Sequence, residues 1–132
     1  VVPVLGDSTA LTTILLLLVT AVVVAPAGLH LTAAIQTVTL LLTVDDRAGV
    51  SETVQVVAYA TAPCALAWVP LPGVTVACCL YGAGLLVVGL VVVHRTTLLR
   101  GVVAAALPAA LVFGVAYRGL WAWGSLTAGV AG

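Results

Sequence analysis

The chain has 132 residues, 64% of them hydrophobic and only 6% charged, and its four Arg and four acidic residues cancel to a formal net charge of zero. Soluble domains carry roughly 25% charged residues, so no water-facing surface can be assembled here, and soluble enzymes and disordered tails are excluded. Without Lys and without a basic surface nothing neutralises a series of phosphates, which excludes a nucleic-acid partner. Long runs of Leu, Val, Ala and Gly, against the roughly 20 apolar residues that cross a bilayer, predict an all-α fold. It is a polytopic transmembrane helix bundle with about four membrane segments, forming a single transmembrane domain over residues 1–132.

Asp7, Ser8 and Thr9 are candidate N-caps for a first segment over residues 9–42. At 1.5 Å per residue it measures about 51 Å, well beyond the roughly 30 Å hydrocarbon core. Pro26 lacks an N–H and clashes with the Val22 carbonyl, so a bend is expected between Val22 and Gly28. Two short helices broken at Pro26 to Gly28 are the alternative. Beyond this point Thr32, Gln36, Thr39 and Thr43 share one helical face, opposite Leu31, Ile35, Val38 and Leu42. That half is expected at an interface or against protein.

Thr43 to Ser51, with Asp45, Asp46, Arg47 and Gly49, reads as a polar loop. Ser51 is placed as the cap of a second segment over residues 52–68, with Glu52 in the first turn where the helix dipole favours a negative charge. Pro63 interrupts it and Val69-Pro70-Leu71-Pro72-Gly73 ends it. A third segment, 74–93, is apolar throughout, and His94-Arg95-Thr96-Thr97 turns the chain into a fourth, 97–117, with Pro108 in its middle.

If the segments cross alternately, Arg47, Arg95 and Arg100 fall on one side and Arg118 on the other. The positive-inside bias makes the first side cytoplasmic and places Trp68, Trp121 and Trp123 at the opposite interface, as an aromatic belt. The expectation is a multi-pass protein of the cell membrane with a non-cytoplasmic C-terminus. The chain opens on Val1 without the basic n-region of a signal peptide, which suggests a preceding N-terminal piece.

No catalytic, metal-binding or cofactor-binding residues are expected. Ser8, Ser51 and Ser125 have no adjacent base, and no G-x-S-x-G occurs. His30 and His94 each lack a second ligand at i+3 or i+4 and are placed at interfaces. Cys64, Cys78 and Cys79 form no C-x-x-C pair and read as small packing residues, a vicinal Cys78–Cys79 disulfide being the minor alternative. Tyr59 and Tyr81 are the deeper polar groups, read as interhelical hydrogen-bonding residues or as the lining of a substrate cavity. Ala106, Ala110 and Gly114 form a small-xxx-small stripe expected to pack inside the bundle, and Gly82, Gly84 and Gly89 form a weaker one.

The order and spacing of Ala58-Tyr59-Ala60-Thr61-Ala62-Pro63, Pro70 to Gly73, Gly89 to His94 and Leu107-Pro108 resembles the Yip1-domain family of multispanning membrane proteins in its prokaryotic form, over roughly Thr9 to Tyr117. The resemblance implies a five-helix domain with a cytoplasmic N-terminus, of which this chain holds helices two to five. Tyr59, Pro63, Gly89, His94 and Pro108 carry the resemblance as scaffold positions. Eukaryotic members are linked to vesicle traffic and small GTPases through an Asp-Leu-Tyr-Gly-Pro type motif. This chain lacks that motif, so GTPase binding is not carried over.

The expected function is a non-enzymatic scaffold or adaptor that organises the membrane. The alternative is a small transporter or channel-like subunit with a cavity at the broken helix around Pro63, lined by Tyr59, Tyr81 and Gln36. The lipid bilayer is the first partner, and a membrane-protein partner or a homo-oligomer the second. Asp45, Asp46, Arg47, Glu52, His94, Arg95 and Arg100 gather on the cytoplasmic face, as a solvated rim or as a docking site. Arg95 or Arg100 is expected to pair with Glu52 or with Asp45 and Asp46.

Overall fold

A computed structural model describes residues 8–130. Every regular element among them is helical, so the chain is all-α. It divides into two compact units, Val1–Leu31 and Thr32–Gly132.

In the first unit the Ser8 hydroxyl accepts the Leu11 N–H at 3.3 Å and starts helix α1, Thr9–Val19. The Thr13 and Thr20 hydroxyls donate to the carbonyls one turn back, each at 2.8 Å, so these polar groups in an apolar run are satisfied within the helix. A π turn, Thr20–Val24, follows, and the Ala25 N–H reaches back to the Thr20 carbonyl. Helix α2, Ala25–Thr43, begins there with Pro26 in its first turn. Proline cannot donate to the carbonyl four residues back; the wider π register just ahead of it accommodates the missing bond. The helical backbone therefore continues from Thr9 to Thr43 as one helix rather than two.

The second unit holds the rest of α2, then α3 (Val50–Thr61), a 3-10 turn (Ala62–Trp68), α4 (Pro72–Val93), α5 (Leu98–Ala109), a π turn (Ala110–Ala116) and α6 (Gly119–Val130). Helix α4 is the hub, packed against α3, the 3-10 turn, α5 and α6. Lipid tails supply no hydrophobic drive between helices, so close backbone approach does the packing. A Cβ at Gly82 would lie 2.6 Å from the Ala60 carbonyl oxygen and from the Phe113 ring, one at Gly89 2.7 Å from Val56, and one at Gly101 2.5 Å from Val91. Leu86, Leu90, Val57 and Ala104 fill the space these contacts leave.

Three expectations are corrected. The cap of α3 is Gly49, in an extended conformation, and Ser51 lies inside the helix. The small-residue stripe does not face inward: Ala106 and Ala110 are exposed, and α5 instead buries Gly101, Ala104, Ala105 and Pro108. In an Ala-rich helix the small-xxx-small spacing recurs in several registers, and a glycine opposite a β-branched side chain chooses among them. Finally, a further helix, α6, follows Tyr117, beyond the fourth expected segment.

Among the described residues three helices are long and apolar enough to cross a membrane: Thr9–Thr43, Pro72–Val93 and Leu98–Ala116. The second expected segment, 52–68, is different. Pro63 cannot donate to the Tyr59 carbonyl, so the Ala62 N–H takes that acceptor in a tighter turn and the α-helix gives way to 3-10 geometry.

Candidate functional site

At the end of α4 the His94 N–H donates to the Leu90 carbonyl at 3.0 Å, and Arg95 takes a left-handed conformation with φ 48°. The Thr96 N–H then bonds the Val91 carbonyl at 3.2 Å, closing the helix end in the Schellman pattern with Arg where Gly is usual. Here Thr97 caps α5, its hydroxyl accepting the Arg100 N–H at 3.4 Å.

His94, at the end of α4, is 2% exposed. Its Nδ1 accepts the Ala48 N–H at 3.0 Å. That bond assigns the proton to Nε2, which donates to Thr53 Oγ1 at 3.4 Å, while the Thr53 hydroxyl donates to the Gly49 carbonyl at 3.3 Å. One imidazole thereby ties together the loop before α3, the first turn of α3 and the end of α4. Burial holds its pKa below the ordinary 6.5, against the opposing pull of Glu52. A second proton would enter on Nδ1, placing donor against donor at Ala48.

The anchored loop borders an open cleft of about 460 Å³ lined by Thr37, Leu40, Thr53 and the stretch Asp45 to Val50. Asp45, 98% exposed, lies 3.6 Å from Arg100 and supplies the ion pair found among the described residues. An exposed pair of this kind is worth about 0–1 kcal/mol, so it orders the rim without holding the fold. Glu52 folds back beside Gly49, where a Cβ would meet its Oε2 at 2.7 Å, near the positive end of α3. Asp46, Arg47 and Arg95 are exposed. The structure thus brings Asp45, Asp46, Arg47, Glu52, His94, Arg95 and Arg100 to one end of the second unit.

A second polar cluster is buried. Gln36 is 0% exposed, and its Nε2 donates to the Ala104 carbonyl at 2.9 Å. Thr39 Oγ1 reaches the same oxygen at 2.8 Å. On α2 the polar side faces protein while Val38 and Leu42, 56% and 82% exposed, face outward.

The remaining scaffold positions separate. Gly89 receives Val56, Pro108 is buried, and Pro63 sets the 3-10 turn. Tyr59 and Tyr81 are 75% and 63% exposed, and among the described residues neither side-chain hydroxyl makes a hydrogen bond. Among the described residues the interhelical hydrogen bond expected of them is not made, and the buried Gln36 amide donates to Ala104 instead. Cys64, Cys78 and Cys79 are buried free thiols, without the alternative disulfide. His30 is exposed, its Nδ1–H donating to the Pro26 carbonyl at 2.8 Å. Among the described residues no three His, Cys, Asp or Glu side chains converge as metal ligands.

Sequence reasoning missed Ala48 and Thr53 as partners of His94. The one local signal was Thr53 four residues after the loop glycine, the spacing at which a threonine hydroxyl returns to the backbone.

The Yip1 domain family model matches residues 2–118 of the chain. No curated protein and no solved structure gives a match.

Proposed function

Because this chain belongs to the Yip1-domain family of membrane proteins, we propose that it serves as a non-enzymatic, multi-pass membrane scaffold whose charged end docks a membrane-protein partner. One observation supports this reading above the rest: His94 clamps the loop from Asp45 to Gly49 through the Ala48 N–H. A loop needed only to solvate a helix end gains nothing from such a clamp. A docking surface does, since preordering the loop lowers the entropy lost on association. Asp46, Arg47 and Arg95 are exposed and supply the charge pattern that a partner reads.

In this proposal the charged end is cytoplasmic and the C-terminus lies across the cell membrane, following the Arg distribution. With the native cysteines replaced, Asp46→Cys and Gly129→Cys label from opposite sides of sealed vesicles. Labelling from the same side removes the assignment. For docking, Arg95→Glu abolishes co-purification of a specific partner while the protein stays folded in detergent. Identical partners recovered with and without the substitution leave these charges as orientation signals only.

A further inference from the structure

At the other end of α4, where the chain enters through Val69-Pro70-Leu71, a cleft of about 330 Å³ is lined by Trp68, Pro70, Thr75, Tyr117, Arg118 and Trp121. Its chemistry is one-sided. The Arg118 guanidinium lies over the Trp121 ring, 4.5 Å from its centre, a contact that holds the cation at the cleft wall. The ion pair among the described residues is Arg100 with Asp45, so Arg118 has no counter-ion there. Thr75 and Tyr117 line the same cleft, and among the described residues neither side-chain hydroxyl makes a hydrogen bond. A cation and two hydroxyl-bearing residues thus line one cleft, and among the described residues no carboxylate lines it with them.

An acceptor-rich anion completes such a site, and the rim says which kind. Trp68, Leu71 and Trp121 are 80%, 57% and 61% exposed. A small soluble anion gains nothing from that apolar border, whereas the glycerol and upper acyl carbons of a lipid cover it, with indoles at the depth they favour in a bilayer. We propose that this cleft seats the phosphate of a phospholipid headgroup from the adjoining leaflet, held by Arg118, Thr75 and Tyr117 between the indoles of Trp68 and Trp121.

The test uses the full chain, delipidated in a maltoside detergent and titrated with phosphatidylglycerol, phosphatidylcholine or diacylglycerol, with bound lipid counted by native mass spectrometry. Both phospholipids bind and diacylglycerol does not, because the phosphate is the recognised group. Arg118→Gln weakens binding about tenfold, the loss of one charge-assisted hydrogen bond. Arg118→Lys retains most of it, and Arg95→Gln at the opposite end leaves it unchanged. Millimolar inorganic phosphate fails to displace the lipid; displacement would assign the seat to free phosphate instead. Diacylglycerol binding as well as phosphatidylglycerol, or an unchanged Arg118→Gln, overturns the proposal. Should Arg118→Gln fail to fold, tryptophan fluorescence of the unaltered chain decides, shifting with phosphatidylglycerol and not with diacylglycerol.

Discussion

Gln36 completes the hydrogen bond that Pro108 cannot make. In an α-helix the N–H of residue 108 would serve the carbonyl of Ala104; proline has no N–H, and this carbonyl lies in a buried stretch of α5. The Gln36 amide and the Thr39 hydroxyl, from α2, take the vacant acceptor at 2.9 and 2.8 Å. The Ala104 carbonyl freed by proline and the polar face of α2 at Gln36, 68 positions apart, are thus two halves of one device. Gln36 Oε1 is buried with no hydrogen-bond partner, which sets a cost against the benefit of the donated bond.

The first prediction follows from this sharing. An interhelical hydrogen bond in a membrane is worth about 0.6 kcal/mol on average. Gln36→Leu alone also removes the unpartnered oxygen, so its effect is small, and Thr39→Val alone leaves the amide in place. The double variant orphans the Ala104 carbonyl and loses about 1–3 kcal/mol, more than the sum of the singles. Pro108→Ala in that background recovers much of the loss by restoring the helical N–H. Thermal unfolding of the unaltered protein and these four variants in detergent measures the coupling; strict additivity would mean that Ala104 is not the shared partner.

Glycines of α4 give a sharper contrast. Gly82→Ala must push backbone apart, since its Cβ would meet the Ala60 carbonyl oxygen at 2.6 Å, and destabilisation of about 1–3 kcal/mol is expected. Gly84, two residues on, has nothing within 4 Å of the added carbon. Gly84→Ala is expected to stabilise by about 0.4–1 kcal/mol through the unfolded chain. Thermal midpoints measured side by side order the variants as Gly84→Ala, unaltered protein, Gly82→Ala.

The contrast between these glycines also shows how far the sequence was legible. Apolar runs, proline positions and the Ser8 cap follow from local chemistry, and the long helices Thr9–Thr43, Pro72–Val93 and Leu98–Ala116 are formed by such apolar runs. The same local logic explains why the outward Tyr59 was misplaced: hydropathy gives depth, whereas the face depends on which glycine of α4 meets Val56 or Ala60. His94 was missed as a buried clamp because its acceptor role exists only once the backbone of Ala48, 46 positions away, arrives against it. The charges of the candidate site were legible as a group, since carboxylates and guanidiniums belong at the ends of apolar segments. Their arrangement around an imidazole was not.

The third prediction concerns pH. His94 has its pKa lowered from the ordinary 6.5 by burial. Above that value the imidazole is neutral in both folded and unfolded chains, and its network is intact. As pH falls below 6.5 the unfolded chain takes up the proton first, so stability declines until the folded-state pKa is passed and then levels off. Midpoints recorded between pH 8 and pH 5 should therefore fall on the acid side, and His94→Gln, whose amide oxygen can still accept from Ala48, should flatten this contribution. A His94→Gln profile parallel to that of the unaltered protein would assign the acid sensitivity to other groups.

The last prediction separates folding from docking at Arg95. Its φ of 48° lies where a Cβ is penalised, by roughly 1–2 kcal/mol in the left-handed helical region. Arg95→Gly removes that penalty but gives the unfolded chain more freedom, so the net gain is smaller, about 0.5–1 kcal/mol. Arg95→Glu keeps the strain and reverses the charge; an exposed side chain with no ion pair among the described residues should then change stability little. If an exposed guanidinium at this turn is what a partner reads, both variants lose the partner, although one is more stable than the unaltered protein and the other about equal to it. Co-purification and thermal midpoint, measured on the same preparations, test the two effects together. Partner recovery that tracks stability would mean that Arg95 acts only through the turn, whereas recovery that fails in both variants assigns it to the docking surface.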